Sequence, residues 1–159
     1  MKIYVIGSPG SGKTTLAKKL AKKYHTKSYE LDCIVYDDED NHKKRTDKEI
    51  KDLFDEILKK KSWIIEDVGR SKFEKGFKEA DQIYYLDFPK RVIYFRILKR
   101  WIKQKMGKET WNYPPTFEQL KDTYHTVSSY YQKEKEKKLR IQKYENKVTI
   151  INKRGLKNI

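Results

Sequence analysis

The feature that most constrains the fold of this chain is a glycine-rich stretch at its amino end. Residues 7–14 read Gly-Ser-Pro-Gly-Ser-Gly-Lys-Thr: a glycine, four residues, a second glycine, a lysine and a threonine. A β-branched and aromatic run, residues 2–6, comes directly before it, and Leu16, Leu20 and Tyr24 follow with a helical period. A strand, a tight loop and a helix in this order predict an anion-binding cradle, because glycines let several backbone N–H groups point inward and the helix start adds its own.

Each part of this loop has a predicted task if the anion is the triphosphate of ATP. Lys13 should reach the β- and γ-phosphates, and the Thr14 hydroxyl should contact Mg²⁺. The predicted contacts to ATP in this segment are Gly7, Ser8, Pro9, Gly10, Ser11, Gly12, Lys13, Thr14 and Thr15. The alternative is a glycine-rich turn that binds nothing, and the flanking strand and helix argue against it.

Composition predicts one domain with a small core and a heavily charged surface. Of 159 residues, 36% are hydrophobic and 38% are charged, and the formal net charge is +15. This charge suits either a nucleic-acid partner or a lysine-rich surface, and the mixed signs of residues 133–138 favour the second. Cys33 is the single cysteine, which excludes an internal disulfide, and no apolar run approaches the ~20 residues of a membrane span. With no signal peptide ahead of the first strand, we expect a cytoplasmic protein without a membrane partner.

Five short apolar runs without strict alternation predict the strands of a parallel sheet covered on both faces. They are residues 2–6, 27–31, 63–66, 82–87 and 147–151. The helical patterns between them are residues 13–24, a helix after a capping box of Thr46 and Glu49, residues 90–105, and a long helix from Thr116 to about Tyr144. Alternating strands and helices predict a three-layer α/β/α sandwich with right-handed crossovers.

Ligands of such sheets bind beyond the carboxyl ends of the strands, and several polar residues fall there. Asp32 follows the second strand, where it either orients or deprotonates an acceptor, or caps a turn. Glu66 closes the third strand in the position expected for an acid that holds Mg²⁺ through water, and Asp67 is an alternative for the same task. Arg70 is expected to neutralise charge in the transition state, whereas Asp87 is interpreted as structural.

Two arginines lie on one face of the helix after the fourth strand, since Arg96 and Arg100 are four residues apart. They lead into residues 106–116, whose glycine and two prolines predict a mobile cover that excludes water during transfer. The alternative is a pair of ordinary surface arginines. Trp101 and Trp111 either stack on a base or pack, and packing is favoured. The three histidines have no spacing that suggests a metal site.

Together these residues resemble the adenylate-kinase-like family, which includes nucleoside monophosphate kinases, shikimate kinase and gluconate kinase. The glycine loop, a Glu-Leu-Asp strand end, the spacing of Glu66 and Arg70, and the paired arginines carry the resemblance. Within this family the chain is most similar to the bacterial DNA topology modulation proteins, through Tyr-Glu-Leu-Asp, Trp-Ile-Ile-Glu, Leu-Asp-Phe-Pro and Arg-Ile-Leu-Lys-Arg-Trp-Ile-Lys-Gln-Lys. Monophosphate kinases have Asp-Gly-Phe-Pro-Arg where this chain has Glu-Asp-Val-Gly-Arg, and the Gly-Gly pair of shikimate kinase is absent. Neither of those substrates therefore follows from the resemblance.

The resemblance implies a P-loop fold with strand order 2-3-1-4-5, a substrate-side helical region at about 33–61 and a lid at about 101–116. It also implies the use of ATP and Mg²⁺. Arg45, which comes before the substrate-side helix, is a further candidate contact for an acceptor phosphate.

The chain is therefore predicted to be a single-domain phosphotransferase that moves the γ-phosphate of ATP to a small hydroxyl or phosphate acceptor. The predicted catalytic residues are Lys13, Asp32, Arg70, Arg96 and Arg100, and the predicted magnesium-side residues are Thr14, Glu66 and Asp67. The adenine is expected between the lid arginines and residues 152–156, which adds Arg96, Asn152 and Arg154 to the ATP contacts. The rival is a nucleotide-dependent nucleic-acid-binding or DNA-topology regulatory protein. The sequence sets neither the acceptor nor the oligomeric state.

Overall fold

The alternating apolar runs fold into a parallel sheet with helices on both faces. The computed structural model describes residues 1–37, 43–109 and 115–152. In chain order the elements are β1 (Lys2–Gly7), α1 (Lys13–Lys23), β2 (Ser28–Glu30), α2 (Leu31–Val35), β3 (Tyr36–Asp37), β4 (Lys43–Lys44), α3 (Asp47–Leu58), β5 (Trp63–Asp67), α4 (Glu74–Glu79), β6 (Gln82–Leu86), α5 (Lys90–Lys105), α6 (Phe117–Gln132), α7 (Glu134–Gln142) and β7 (Val148–Ile151). Two short 3-10 helices also occur, at Ser71–Phe73 and Glu145–Lys147.

The central sheet has five parallel strands in the order β2-β5-β1-β6-β7. β1 lies in the middle, where Tyr4 pairs in register with Ile65 of β5 and Ile83 of β6. Strands cover both edges of β1 and helices cover both faces, which is why its run is apolar without alternation. The predicted three-layer α/β/α P-loop fold and the predicted strand order are confirmed.

Neighbouring residues of β1 point to opposite faces of the sheet and so contribute to two hydrophobic layers. Tyr4 and Ile6 pack with side chains from α2, α3, α4 and α7. Ile3 and Val5 pack with side chains from α1, α5 and α6. Each fully buried side chain of this kind contributes about 1.5–3 kcal/mol by leaving water. The loop that follows β1 is thus anchored by core contacts on both sides.

The prediction of one helix from Thr116 to about Tyr144 is wrong, because the chain breaks into α6 and α7 at Lys133. Thr116 does cap the start, where its side chain accepts a hydrogen bond from the Gln119 N–H. Lys133 leaves helical geometry, with φ −98° and ψ 12°. Val127 of α6 packs in one hydrophobic layer and Ile141 of α7 packs in the other. One straight helix could not place both side chains in their respective layers.

Three short features have no counterpart in the sequence-based prediction: α2, the antiparallel pair β3–β4, and α4. α2 begins one residue before Asp32, so this carboxylate lies in the first turn of a helix. α4 has six residues and packs closely on the sheet through Gly76, where an added Cβ would lie 2.5 Å from Cε2 of Tyr4. Elements of this length carry too few residues for a period to be read.

Within residues 1–37, 43–109 and 115–152, none of the helices has the length and apolar character needed to cross a bilayer.

Candidate active site

The glycine loop between β1 and α1 adopts a backbone that only glycine takes readily. Gly10 and Gly12 have φ of 74° and 99°, in the left-handed region. The Ser11 N–H donates to the Ser8 carbonyl at 3.1 Å and closes the turn. Gly12 is the N-cap of α1 and makes no side-chain capping bond. The first N–H groups of α1 therefore stay available for an anion.

Lys13 directs its ammonium back over this loop. Its Nζ donates to the Ser8 carbonyl at 3.1 Å, and its side chain lines a cleft of about 600 Å³. Burial lowers the pKa of Lys13, and the nearby carboxylates of Glu66, Asp32 and Asp67 oppose that change. The lysine predicted to contact phosphates thus lies in the loop's own cleft.

Thr14 and Glu66 form a pair at the floor of the same region. The Thr14 hydroxyl donates to Glu66 Oε1 at 2.7 Å, and Glu66 is only 6% exposed. The other oxygen, Oε2, is buried and has no protein partner. Burial raises the pKa of Glu66 to about 7, although Lys13 and Thr14 favour its charged form.

Asp67, the alternative acid, is engaged elsewhere. Its Oδ1 accepts from the Arg70 guanidinium, and its Oδ2 accepts from the Arg70 backbone N–H at 2.5 Å. The same guanidinium also pairs with Asp32, whose side chain is 64% exposed. Arg70 therefore bridges two carboxylates, and of the two predicted acids at the end of β5 only Glu66 reaches Thr14.

The protein offers only a few ligand atoms to a magnesium ion in this arrangement. The described part of the chain contains no group of three or more His, Cys, Asp or Glu side chains that could hold a metal. The Thr14 hydroxyl and the unpartnered Glu66 oxygen are nevertheless the donor types that Mg²⁺ and its water ligands take. The residues present suit an ion that is held mainly by a bound polyphosphate.

The paired arginines of α5 face the glycine loop. Arg96 donates to the Ser11 carbonyl at 2.9 Å, and its guanidinium carbon lies 4.1 Å from the centre of the Phe88 ring. Arg100 lines the 600 Å³ cleft together with Lys13 and Arg96. Burial lowers the pKa of both guanidinium groups. Gly10 allows this approach, because a Cβ there would lie 2.9 Å from Cγ1 of Ile97.

Two smaller clefts adjoin the loop. One of about 310 Å³ lies between Arg96 and Ile151 at the end of β7, where the adenine is predicted. Asn152 directly follows this strand, whereas Arg154 lies outside the described residues. The other cleft, of about 390 Å³, is lined by Asp32 and by residues of α5 and α6.

The remaining candidates have structural contacts. Trp101 donates from its indole N–H to the Thr116 carbonyl at 3.0 Å and packs on Phe117. Trp111 lies outside the described residues, as does part of the predicted lid. Asp87 pairs with Lys138 at 3.2 Å.

Arg45 is also held within the protein. Its guanidinium donates to the carbonyls of Cys33 and Tyr36, both at 2.8 Å, and pairs with Asp37 at 3.1 Å. These contacts close the carboxyl end of α2 and leave the acceptor-phosphate role of Arg45 as a prediction only.

Sequence reasoning missed a second basic region, formed by α7 and the loop after β5. Lys137 is buried and Arg140 is partly buried there. The mixed charge of residues 133–138 favours a solvated helix, whereas Lys137 is only 8% exposed in the structure. A signal was available within α7, since Lys137 lies four residues before the buried Ile141 and shares its face.

A protein-family model described as "AAA domain" matches residues 3–113 of the chain. That stretch runs from β1 through the glycine loop to the residues after α5. No curated protein sequence matches the chain significantly.

Solved structures resemble the chain at low sequence identity, and the first of these shares its fold. A gluconokinase from Sinorhizobium meliloti 1021 is 13% identical at a TM-score of 0.56, over 95% of this chain and 81% of that one. A shikimate kinase from Bacteroides thetaiotaomicron is 19% identical at a TM-score of 0.49, over 62% of this chain and 63% of that one. A shikimate kinase from Aquifex aeolicus vf5 is 18% identical at 0.46, over 84% and 82%. The chain thus spans less than two thirds of the Bacteroides enzyme.

Proposed function

The chain belongs to the AAA domain family, and from this membership and the geometry of its glycine loop we propose that it is an ATP-dependent phosphotransferase. The proposal has the chain transfer the γ-phosphate to a small molecule that offers a hydroxyl or phosphate oxygen. One observation carries it: a single cleft of about 600 Å³ joins the open loop, Lys13, Thr14 and the two arginines of α5.

In this proposal residues 7–15 hold the triphosphate through backbone N–H groups and the start of α1. Lys13 exchanges its bond to the Ser8 carbonyl for phosphate oxygens and stabilises the moving phosphoryl group. Arg96 and Arg100 neutralise the charge that develops at the leaving phosphates. Asp32, held by Arg70, orients or deprotonates the acceptor.

Thr14 and Glu66 are the proposed magnesium-side residues, and Glu66 is preferred to Asp67 because both oxygens of Asp67 are occupied by Arg70. When bound, Mg²⁺ supplies positive charge that orients and polarises the phosphates. Glu66 would accept hydrogen bonds from water in that site and hold the Thr14 hydroxyl in position.

The proposal also includes the adenine site, the acceptor side and the lid. The adenine rests near Arg96 and the residues after β7, including Asn152 and Arg154. Residues 33–61 form the acceptor side, residues 101–116 form a lid, and the chain works as a single domain. The closer relation to the bacterial DNA topology modulation proteins remains a prediction.

The test is ATP consumption with a panel of hydroxylated and phosphorylated acceptors. We expect an acceptor-dependent rate in the native chain and a loss of at least about 100-fold in Lys13→Ala, because one lysine stabilises the transferring group. Lys22→Ala is the matched control, since Lys22 is exposed on the far end of α1. Asp32→Asn should lower the rate constant more than the affinity for ATP.

Two results would contradict the proposal. Normal ATP consumption by Lys13→Ala would contradict the proposal that the glycine loop binds the triphosphate. A native rate in Asp32→Asn would contradict only the role of Asp32 as a base.

The net charge of +15 favours a second candidate, a nucleotide-dependent nucleic-acid-binding or regulatory protein. Salt separates the two functions. Binding to DNA through several phosphates should weaken steeply as salt rises, whereas turnover with a small acceptor should change little. A steep salt dependence of DNA binding without acceptor-dependent turnover would favour this second function.

A further inference from the structure

A fourth cleft, of about 580 Å³, lies between the loop after β5 and α7. Five cationic side chains and one carboxylate line it, namely Arg70, Lys72, Lys133, Lys137, Arg140 and Glu136. Such an excess of positive charge around one hollow raises the local concentration of anions. We call this the α7 cleft.

Lys137 is the unusual member of the α7 cleft, because it is 8% exposed and has no ion pair with any described carboxylate. Its Nζ lies 3.5 Å from the centre of the Tyr130 ring. The adjacent Lys138, by contrast, pairs with Asp87 and Glu134. Burial lowers the pKa of Lys137 to about 8, the nearby carboxylate of Asp67 opposes this change, and the positive charge of Arg140 adds to it. Both oxygens of Asp67 already accept hydrogen bonds from Arg70, so an anionic ligand would still lower the cost of burying the Lys137 ammonium.

Arg140 contributes a second unmatched donor. Its NH2 group donates to the Gly69 carbonyl at 2.8 Å, while its NH1 group is buried without a partner. Gly69 has a φ of 80°, and an added Cβ would lie 3.7 Å from Cδ of Lys137. The loop thus packs on the stem of Lys137, and Lys137 and Arg140 both line the α7 cleft.

We propose that the α7 cleft binds the phosphate group of a small molecule. A phosphate has three terminal oxygens and can accept from Lys137 and Arg140 at once, whereas both terminal nitrogens of Arg70 already donate to Asp32 and Asp67. The volume of about 580 Å³ and the buried position of Lys137 suit a small ligand rather than the backbone of a duplex.

Arg70 connects the α7 cleft to the candidate active site. It lines the α7 cleft and also pairs with Asp32, which lines the 390 Å³ cleft beside Arg100. A phosphorylated acceptor held in the α7 cleft would therefore present its reacting end near Asp32, with binding energy drawn from a group remote from the reaction. This assignment to the acceptor rests on the proposed function, whereas phosphate binding itself does not.

The experiment titrates the isotope-labelled chain with inorganic phosphate and follows the backbone N–H signals of Gly69, Lys137 and Arg140 by NMR. Lys13→Ala is included so that phosphate binding at the glycine loop is weakened. We expect saturable shifts at these three signals in both the native chain and Lys13→Ala. Lys137→Met should weaken the affinity by about tenfold or more, as for loss of a charged hydrogen-bond donor. Lys135→Met, which alters an exposed lysine of α7 outside the cleft, should stay within about twofold.

Arg140→Gln is the second variant, and it serves if Lys137→Met does not fold. The inference is overturned if phosphate gives no saturable shift at these signals in the native chain, or if both variants bind phosphate as the native chain does. It is also overturned if a duplex oligonucleotide shifts these signals and inorganic phosphate does not. If phosphate shifts these signals and Lys13→Ala binds ATP as the native chain does, the proposed function is wrong and this inference stands. If the native chain turns over ATP but phosphate does not shift these signals, this inference is wrong and the proposed function stands.

Discussion

Glu66 combines burial with a position beside Lys13 and Thr14, so its charge state responds to pH near neutrality. Its pKa is raised from 4.5 to about 7 because burial disfavours the carboxylate. Below pH 4.5 the folded and unfolded chains both hold the proton, and between 4.5 and about 7 the unfolded chain loses it first. The stability that comes from the raised pKa is therefore fully present at low pH and is lost as pH rises to about 7.

We expect Glu66→Gln to remove this dependence. From about pH 4 to about pH 8, the free energy of unfolding of the native chain should fall by about 3 kcal/mol relative to that of Glu66→Gln. Urea unfolding at a series of pH values measures the difference. Glu56→Gln, which alters an exposed acid of α3, is the control and should run parallel to the native chain. A constant difference between native and Glu66→Gln chains across this range would contradict the account.

Gly10 is a second residue whose environment makes a sharp prediction. An alanine there would hold a φ of 74° and place its Cβ 2.9 Å from Cγ1 of Ile97. We expect Gly10→Ala to lower the free energy of unfolding by about 2–4 kcal/mol, from backbone strain and overpacking together. Gly107→Ala separates the two costs, because Gly107 has a φ of 66° with nothing within 4 Å of an added Cβ. Equal losses in the two variants, measured by urea unfolding, would show that the contact with α5 contributes nothing.

Some site residues were predictable from sequence and others were not, for identifiable reasons. The glycine loop has fixed spacing, so the pattern alone predicts that Lys13 and Thr14 share one cleft, and both line it in the structure. The sequence does not decide whether Glu66 or Asp67 pairs with Thr14, because the answer depends on which carboxylate the Arg70 guanidinium contacts. Lys137 lies within a run of mixed charge, and its four-residue spacing from Ile141 is the one local signal of its burial.

At the scale of elements, α3 shows how side chains stabilise the first turn of a helix. The Thr46 side chain accepts from the Glu49 N–H, and the Glu49 carboxylate accepts from the Thr46 N–H at 2.8 Å. This capping box was predicted from the sequence and is confirmed. Thr46→Ala should lower the free energy of unfolding by about 1 kcal/mol through loss of the cap.

Thermal or urea unfolding measures the cost of Thr46→Ala, with Thr126→Ala as the control. Thr126 donates from its hydroxyl within α6, at 2.9 Å to the Asp122 carbonyl, and caps no helix start. Adding Glu49→Ala to Thr46→Ala should cost less than the sum of the two single changes, since the residues act as one unit. Additive costs would mean that the box does not act cooperatively.

Elements that were missed share a physical cause. α2 and α4 have five and six residues, which is under two turns, so their apolar residues form no readable period. The break between α6 and α7 depends on Val127 and Ile141 packing in different layers. That information belongs to the assembled sheet and has no local signature at Lys133.

At the scale of the whole molecule, binding of ATP should stabilise the fold. With Mg²⁺ and ATP at about 100 times the dissociation constant, the gain is about 2.7 kcal/mol, or roughly 5–10 °C in Tm for a chain of this size. Calorimetry should show this shift in the native chain and in Lys22→Ala, and little shift in Lys13→Ala. An equal rise in all three chains would indicate binding away from the glycine loop.

The fold as a whole followed from the sequence because strand and helix patterns alternate along the entire chain, and few topologies satisfy that order. The identity of the acceptor could not be predicted from the sequence, since the clefts that would receive it are formed by residues from distant parts of the chain. Asp32, Arg70 and Arg100 meet there only once the sheet is assembled.

Arg45 lines none of the four clefts described above, but its contacts support the helix that carries Asp32. Its guanidinium closes the final carbonyls of the five-residue helix whose opening turn bears Asp32. Random mutagenesis with selection for inactive clones should therefore recover changes at position 45 as readily as changes in the clefts. Such clones would keep normal nucleotide affinity and lose turnover, because Asp32 would be present but incorrectly oriented.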